Sequence, residues 1–256
     1  MEDPQGWASD LPLAWRVEQA CFNAWPALHE VWVGDWIARS TPGVSRRANS
    51  ADPLRIDPGG QDHVVAGCEA VYRAWKAPPL FRIPSLIGRA MERRLDRLGY
   101  LSEGETLTLV GEMGAGALSP DVEITPRPSR TWLLAKAAFM GFSPDQAAVY
   151  RRSLARLKLP SAFVLLRHEG RPASLAYGTI HDRLLCIESV ATDQALRGRG
   201  LARRMLGALI AWAHANGIGA ACLQVQADND PATALYRRLG LTNEIYRYHY
   251  RRGPGD

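Results

Sequence analysis

Glycine and arginine alternate in the turn Arg197-Gly198-Arg199-Gly200, which follows an apolar run and precedes a helical pattern. Residues 184–190 read as a buried strand. Apolar residues then recur at helical spacing, at Leu201, Met205, Leu206, Leu209, Ile210 and Ala213. Free N–H groups and the dipole at a helix start favour an anion, and glycine lets the backbone approach it closely. The turn therefore predicts an anion site, although such glycines also occur for tight packing alone.

The spacing of this turn differs from that of two common phosphate loops. A Walker loop needs Gly-x-x-x-x-Gly-Lys-Ser/Thr, which is absent. A dinucleotide loop needs a third glycine where Arg203 stands. The turn is thus not predicted to bind a nucleotide in either of these ways.

The turn does resemble the signature of another family. Residues 197–202, Arg-Gly-Arg-Gly-Leu-Ala, fit the Arg/Gln-x-x-Gly-x-Gly/Ala motif of the GCN5-related N-acetyltransferases (GNAT). Downstream, Leu-Gln-Val at 223–225, then Asp228-Asn229 and residues 234–241 are similar to that family's strand, cofactor-contacting Asn and following helix. Leu241 replaces the common Phe, which is a mild departure. The resemblance covers residues 131–252 and implies acetyl-CoA as co-substrate.

The resemblance also implies which residues hold the cofactor. In the family two neighbouring strands splay apart, here ending near Thr192 and Val225, and the acyl-pantetheine arm lies in the gap. The cofactor contacts carried over are Val190, Ala191 and Thr192 for the arm, then Arg197, Gly198, Arg199, Gly200, Leu201 and Ala202 for the pyrophosphate, and Asn229, Ala232 and Tyr236 for the pantetheine side.

Two residues are candidates for proton transfer. An alkylammonium with a pKa of about 10 must lose a proton before it attacks, and Glu188 is the candidate base, directly or through a water. Strand alternation predicts that Glu188 shares a face with Val190 and Thr192, while an ion pair with a neighbouring arginine is the alternative role. Tyr236 is the candidate acid for the coenzyme A sulfur, or packs under the cofactor. His181 and Asp182 are reserve bases at a strand turn.

Composition limits the other classes of function. The 256 residues carry 31 Lys plus Arg against 26 Asp plus Glu, a net charge of +5, which suits an anionic cofactor without indicating a nucleic-acid binder. No signal peptide or membrane-length apolar run is recognised, so a cytoplasmic protein of bacterial type is predicted.

No metal is predicted from the four cysteines. Cys21, Cys68, Cys186 and Cys222 are far apart in the sequence, with no Cys-x-x-Cys and no histidine at metal spacing. Cys186 and Cys222 lie inside apolar strand patterns, where a small buried thiol is the expected role.

The fold class predicted is α+β, a GNAT fold with a mixed, mostly antiparallel sheet flanked by helices. Two such domains in tandem are expected, with residues 1–118 as a degenerate first copy, 119–130 as a Pro-rich linker and 131–256 as the catalytic domain. In the first copy, strands are predicted at 30–40 and 45–50, and no equivalent of the Arg-Gly turn is present.

The predicted function is transfer of the acetyl group of acetyl-CoA to a primary amine of a small molecule, by direct attack within a ternary complex. The alternatives are a protein lysine or N-terminal acetyltransferase, and a non-catalytic acetyl-CoA-binding sensor or scaffold. The partners expected are acetyl-CoA and an amine acceptor, without nucleic acid or membrane, for a monomer or homodimer.

Overall fold

The computed structural model describes residues 11–58 and 61–254. They form an α+β fold in which one mixed sheet has helices on both sides, as the sequence predicts. The strands are β1 His29–Val33, β2 Trp36–Ser40, β3 Ala51–Pro53, β4 Leu80–Pro84, β5 Leu101–Glu112, β6 Val122–Thr125, β7 Ser161–His168, β8 Arg171–His181, β9 Leu184–Thr192, β10 Ala220–Gln226 and β11 Asn243–Arg252. The helices are α1 Leu13–Ala24, α2 Gln61–Ala74, α3 Ala90–Arg97, α4 Arg130–Met140, α5 Pro144–Leu154, α6 Leu201–Ala215 and α7 Asp230–Arg238.

The eleven strands follow the order β1-β2-β3-β4-β11-β5-β10-β9-β8-β7-β6. Most neighbours are antiparallel, whereas β3–β4 and β9–β10 are parallel. The last strand, β11, lies between β4 and β5, and β5 in turn pairs with β10. Because of this interleaving, the sheet runs through both halves of the chain without a break.

The first half differs locally from the prediction. Residues 30–40 form a hairpin, β1 and β2, instead of one strand, because the chain reverses at Gly34, whose φ is +58°. Residues 45–50 contain a short 3₁₀ helix, Arg46–Ala48, where a strand was predicted. Ser45 accepts a hydrogen bond from the Arg47 backbone N–H, and this local bond favours the turn.

In the second half, strand alternation divides the core between the two faces of the sheet. Along β7, Ala162, Val164 and Leu166 pack with α6, while Phe163 and Leu165 pack with α4 and α5. Helix α1, from the first half, covers the second of these faces beside β9 and β10. The candidate base Glu188 lies on this α1 face of β9.

The helices of the second half begin where the sequence predicts. Ser143 caps α5 in a reciprocal capping box with Gln146, and Pro144 occupies the first turn. Residues 119–130 include β6, which pairs with β7. Among the described residues, no helix has both the length and the apolar character needed to cross a membrane.

Candidate active site

The site begins where β9 and β10 separate. These parallel strands are paired at three positions, of which Cys186 opposite Cys222 is the last. Beyond this position β9 continues to Thr192 and β10 continues to Gln226, but the two strands no longer pair with each other. The pairing of β10 with β5 continues to Gln226, so the gap opens on the β9 side only. The diverging strands thus leave backbone groups facing a gap in the middle of the sheet.

A β-bulge interrupts β9 just beyond the divergence. The register against β8 shifts between the partners of Glu188 and Ala191, and Ser189 has φ of +58°, which is uncommon for a residue other than glycine. The extra residue in β9 reverses the alternation, so that Ala191 returns to the face of Glu188. The prediction that Glu188 shares a face with Val190 and Thr192 is therefore wrong, because it assumed an unbulged strand.

The carboxylate of Glu188 is almost fully buried and binds an arginine from the first half. Arg47 Nη1 donates a hydrogen bond to Glu188 Oε1, and the two side chains are 15% and 4% exposed. The Sγ atom of Cys186 lies 3.7 Å from the same oxygen. The guanidinium of Arg47 also lies 5.5 Å from the ring centroid of Trp25. The ion pair considered for Glu188 is thus present, with a partner that is distant in sequence.

Burial controls the ionisation of this region. Loss of hydration raises the pKa of Glu188 from an ordinary glutamate value to about 7, although the charge of Arg47 opposes the shift. Burial also lowers the pKa of Lys136 to about 8, and the nearby Glu188 charge offsets only part of that effect. A carboxylate with a pKa of about 7 is suited to accept a proton near neutral pH.

Two side chains from α4 and α5 hold the bulge. Lys136 Nζ donates to the Ser189 carbonyl oxygen at 3.3 Å, and the Tyr150 and Ser189 hydroxyls are 2.7 Å apart. Ser174 Oγ donates to the Ala191 carbonyl oxygen at 3.1 Å. These bonds satisfy polar groups that the irregular strand would otherwise leave without partners.

The Arg-Gly turn is exposed and lies at the N-terminus of α6. Gly198 and Gly200 have φ of +78° and +72°, and a Cβ at either position would meet no atom within 4 Å. The glycines are therefore needed for backbone conformation, and space is not the constraint. Gly200 caps α6 without a side-chain hydrogen bond, and the first turn of the helix has no acidic residue. The helix start thus presents N–H groups to an anion.

A basic cavity adjoins this turn. It has a volume of about 750 Å³, and Arg203, Arg204 and Arg238 contribute to its lining together with Gly200. Arg204 also forms an ion pair with Asp121 at 3.2 Å. The cavity therefore carries positive charge next to the helix N-terminus, which could hold an anionic group.

Asn229 lies immediately before α7, and Tyr236 lies within this helix, which follows β10. Asn229 is the N-cap of α7, and its side chain accepts a hydrogen bond from the Ala232 backbone N–H at 3.2 Å. Tyr236 is 7% exposed and packs in the same apolar cluster as Ile187 and α6. Burial raises the pKa of its hydroxyl, and the charge of Glu188 adds to this effect. Tyr236 therefore stays protonated and able to donate.

The reserve bases have other contacts. Asp182 forms an ion pair with Arg16, and Arg16 Nη2 also donates to the Asp182 carbonyl oxygen at 3.0 Å. His181 Nε2 lies 3.1 Å from Asn23 Nδ2, and burial lowers the pKa of this histidine. Both residues lie at the turn between β8 and β9, at the opposite end of β9 from the bulge.

Two features of the site could not be read from the sequence. Arg47 is 141 residues from Glu188, and no local pattern connects them. Cys21, Cys186 and Cys222 converge so that their sulfur atoms all lie within 4.8 Å of one another. The only local signal is that Cys186 and Glu188 are two apart on one strand, and so share a face.

Sequence comparison relates the chain to known and probable acetyltransferases. A family model described as "Probable histone acetyltransferase Rv0428c C-terminal" matches residues 15–251. The uncharacterized N-acetyltransferase YobR of Bacillus subtilis is 24% identical over 242 residues, which cover 92% of this chain and 97% of YobR. A mycothiol acetyltransferase of Pseudarthrobacter chlorophenolicus is 28% identical over 151 residues, covering 53% of this chain and 47% of that protein.

Solved structures have the same fold. A GCN5-related N-acetyltransferase from Kribbella flavida superposes with a TM-score of 0.68 at 17% identity, and the match covers 96% of this chain and 97% of that one. At this identity the likeness concerns the fold alone.

Proposed function

The chain belongs to the family described as the C-terminal region of the probable histone acetyltransferase Rv0428c, within the GNAT superfamily of acyltransferases, and we propose that it acetylates a primary amine of a small molecule. Acetyl-CoA is the donor, and the amine attacks the thioester directly while both substrates are bound.

The divergence of β9 and β10 beyond Cys186 and Cys222 carries this proposal. An extended pantetheine arm fits such a gap, because unpaired strand backbone offers it hydrogen bonds as a neighbouring strand would. In the proposed complex Val190, Ala191 and Thr192 supply these contacts. A backbone N–H near Val190 polarises the thioester carbonyl as charge develops on its oxygen.

The other end of the cofactor is assigned to the turn before α6. The pyrophosphate binds the N–H groups of residues 197–202, where Gly198 and Gly200 hold left-handed conformations. Arg197 and Arg199 are exposed and add positive charge. Asn229 and Ala232 contact the arm from the start of α7.

Proton transfer is assigned to Glu188 and Tyr236. Glu188 removes a proton from the ammonium, directly or through a water, and the neutral nitrogen then forms a bond to the thioester carbon. The carbon–sulfur bond breaks, and the electron pair leaves with sulfur. Tyr236 donates its hydroxyl proton to this thiolate and is reprotonated from solvent, while the acetylated nitrogen releases its remaining excess proton to solvent. The products are an N-acetyl amine and coenzyme A.

The first half of the chain has a proposed role in the site, although it has no Arg-Gly turn. Residues 1–118 are proposed as a degenerate copy of the catalytic domain, 131–256, joined by 119–130. The parallel contact of β3 with β4, at Ala51 opposite Phe81, is the counterpart of β9 with β10. The degenerate copy delivers Arg47 to Glu188 and so shapes the acceptor side.

Acetylation of a protein is the second candidate function. The matching family is named for a probable histone acetyltransferase, which favours a lysine acceptor. The small-molecule acceptor is preferred because Glu188 is buried on the face covered by α1, α4 and α5. A lysine side chain on a folded protein would need an open route to that carboxylate.

Coenzyme A release from acetyl-CoA tests the proposal, measured against a panel of small amines with a lysine peptide pool alongside. Turnover of a small amine, with its N-acetyl product identified by mass spectrometry, is the expected result. Turnover of peptides alone would transfer the assignment to protein acetylation. Tight acetyl-CoA binding without turnover of any acceptor would favour the sensor or scaffold.

A further inference from the structure

The three cysteines at the divergence of β9 and β10 come from separate parts of the chain. Cys21 lies on α1, Cys186 on β9 and Cys222 on β10, and their side chains are 1% exposed or less. All three are free thiols, and their sulfur atoms lie within 4.8 Å of one another. Burial of one thiol is ordinary packing. The convergence of three thiols from three elements is a different arrangement, because it is also a set of soft metal ligands.

A carboxylate oxygen lies beside the cysteine set, next to one of its sulfur atoms. Glu188 follows Cys186 on the same face of β9, and its Oε1 atom is 3.7 Å from Cys186 Sγ. Three thiolates and one carboxylate give four donors, which is the number that a structural zinc site uses.

Two of the separations match a tetrahedral metal site. Zinc–sulfur bonds of about 2.3 Å place two sulfur ligands about 3.8 Å apart in a tetrahedron, and a zinc–oxygen bond of about 2.1 Å places sulfur and oxygen about 3.6 Å apart. In the structure Cys21 Sγ and Cys186 Sγ are 3.7 Å apart, and Cys186 Sγ is 3.7 Å from the Glu188 oxygen. These two separations are near the edge lengths that the metal requires. The three sulfur atoms lie within 4.8 Å of one another without the Glu188 oxygen, so the Glu188 side chain moves toward the cation when the cation binds.

From this geometry we propose that Cys21, Cys186, Cys222 and Glu188 form a binding site for a thiophilic divalent cation, Zn²⁺ or Cd²⁺. Each thiol that coordinates the cation releases its proton to solvent. The cation and the Arg47 guanidinium, which contacts Glu188, together offset three of the four negative charges of the ligands. The site departs from the sequence-based prediction of no metal, because spacing along the chain carries no sign of it.

Occupancy of this site has a consequence for catalysis, which rests on the proposed role of Glu188. A carboxylate that binds a cation cannot accept a proton from the amine. Zn²⁺ therefore acts as an inhibitor. The three cysteines lie where β9 and β10 diverge, so the bound cation is next to the position proposed for the acetyl group of acetyl-CoA.

Cobalt(II) is the probe for the binding test, because thiolate ligation gives it charge-transfer absorption and tetrahedral geometry gives it intense visible bands. The reduced, chelator-treated full chain is titrated with Co²⁺, and then Zn²⁺ is added. The expected result is one Co²⁺ per chain with thiolate bands, which Zn²⁺ removes. A folded protein without these bands would overturn the site.

The fourth cysteine supplies a matched control. Cys68 lies on α2 in a separate apolar cluster and is fully buried as well. Cys21→Ala and Cys222→Ala are expected to weaken Co²⁺ binding about tenfold or more, while Cys68→Ala leaves it unchanged. Equal spectra in all three variants would contradict the assignment, and circular dichroism checks that each variant is folded.

A second measurement needs no variant. In the wild-type chain, Zn²⁺ is expected to slow alkylation of Cys21, Cys186 and Cys222, mapped by peptide mass spectrometry, without changing the rate at Cys68. Equal slowing at all four cysteines would mean general stabilisation and would refute the site.

The activity test is separate. Chelator-reversible inhibition by Zn²⁺ is expected for the wild type and for Cys68→Ala, and resistance is expected for Cys21→Ala. If the chain acetylates none of the amines or peptides tested, the cobalt and alkylation results still decide the metal site. Failure of the proposed function is thereby distinguished from failure of the metal proposal.

Discussion

Arg47 in the first half of the chain donates a hydrogen bond to the buried carboxylate of Glu188 in the second half. The two residues are 141 positions apart and belong to a 3₁₀ helix and to β9. The half that lacks the Arg-Gly turn therefore contacts the candidate base directly.

Replacement of the candidate base tests the proposed mechanism. Glu188→Gln keeps the shape of the side chain and removes its ability to accept a proton. We expect kcat for amine acetylation to fall about 100-fold, with acetyl-CoA affinity unchanged, because the cofactor contacts are backbone groups and the turn. Steady-state kinetics and calorimetric binding measure the two quantities. Glu244→Gln, at an exposed ion pair with Arg247, is the control and should keep full activity.

The leaving group supplies a second test. Tyr236→Phe removes the hydroxyl that is proposed to protonate the coenzyme A sulfur, and we expect kcat to fall about tenfold or more with little change in acetyl-CoA affinity. Tyr72→Phe removes another buried hydroxyl, which donates to the Arg39 carbonyl oxygen far from the gap, and should alter stability but not kcat. An unchanged kcat in Tyr236→Phe would leave this tyrosine a packing role only.

The left-handed backbone at the start of α6 gives a third prediction. Gly200 has φ of +72°, and a non-glycine residue there costs about 1–2 kcal/mol unless the turn changes. If the turn relaxes in Gly200→Ala, its N–H groups move, and we expect acetyl-CoA to bind about tenfold more weakly. Gly88→Ala is the control, because Gly88 has no positive φ and open space for a Cβ. Equal cofactor affinity in both variants would count against pyrophosphate binding at this turn.

A fourth prediction concerns the buried charges that join α1, β3 and β4. Arg82 Nε donates to Asp52 Oδ1 at 2.6 Å, its other nitrogens bind Glu18, and all three side chains are 4% exposed or less. Arg82→Met leaves two buried carboxylates without their cation, and we expect the free energy of unfolding to fall by about 3–5 kcal/mol.

The matched control for this prediction is an exposed pair. Arg94 binds Asp62 at 2.8 Å, and these side chains are 31% and 83% exposed. Arg94→Met should change the free energy of unfolding by less than about 1 kcal/mol in urea denaturation. A similar small loss in Arg82→Met would show that the buried network contributes little.

The sequence by itself determined the features that depend on neighbouring residues. The turn at residues 197–200 was recognisable in the sequence because left-handed backbone conformations favour glycine. Gly198 and Gly200 adopt such conformations, which depend on neighbouring residues only. The capping of α5 by Ser143 and the strands β7 to β9 were predicted for the same reason, since a cap or an alternation is complete within a few residues. The GNAT fold followed from two such local motifs in the expected order.

Only the tertiary structure decided how distant groups meet. The bulge at Ser189 moves Val190 and Thr192 off the face of Glu188. Arg47 meets Glu188, and the three sulfur atoms meet one another, only when distant parts of the chain pack together. Sheet order and register fix these meetings through contacts between residues far apart in the chain, and no short stretch of sequence encodes such contacts. The conformation of the Arg-Gly turn was therefore predictable, whereas the surroundings of Glu188 and the cysteine cluster were not.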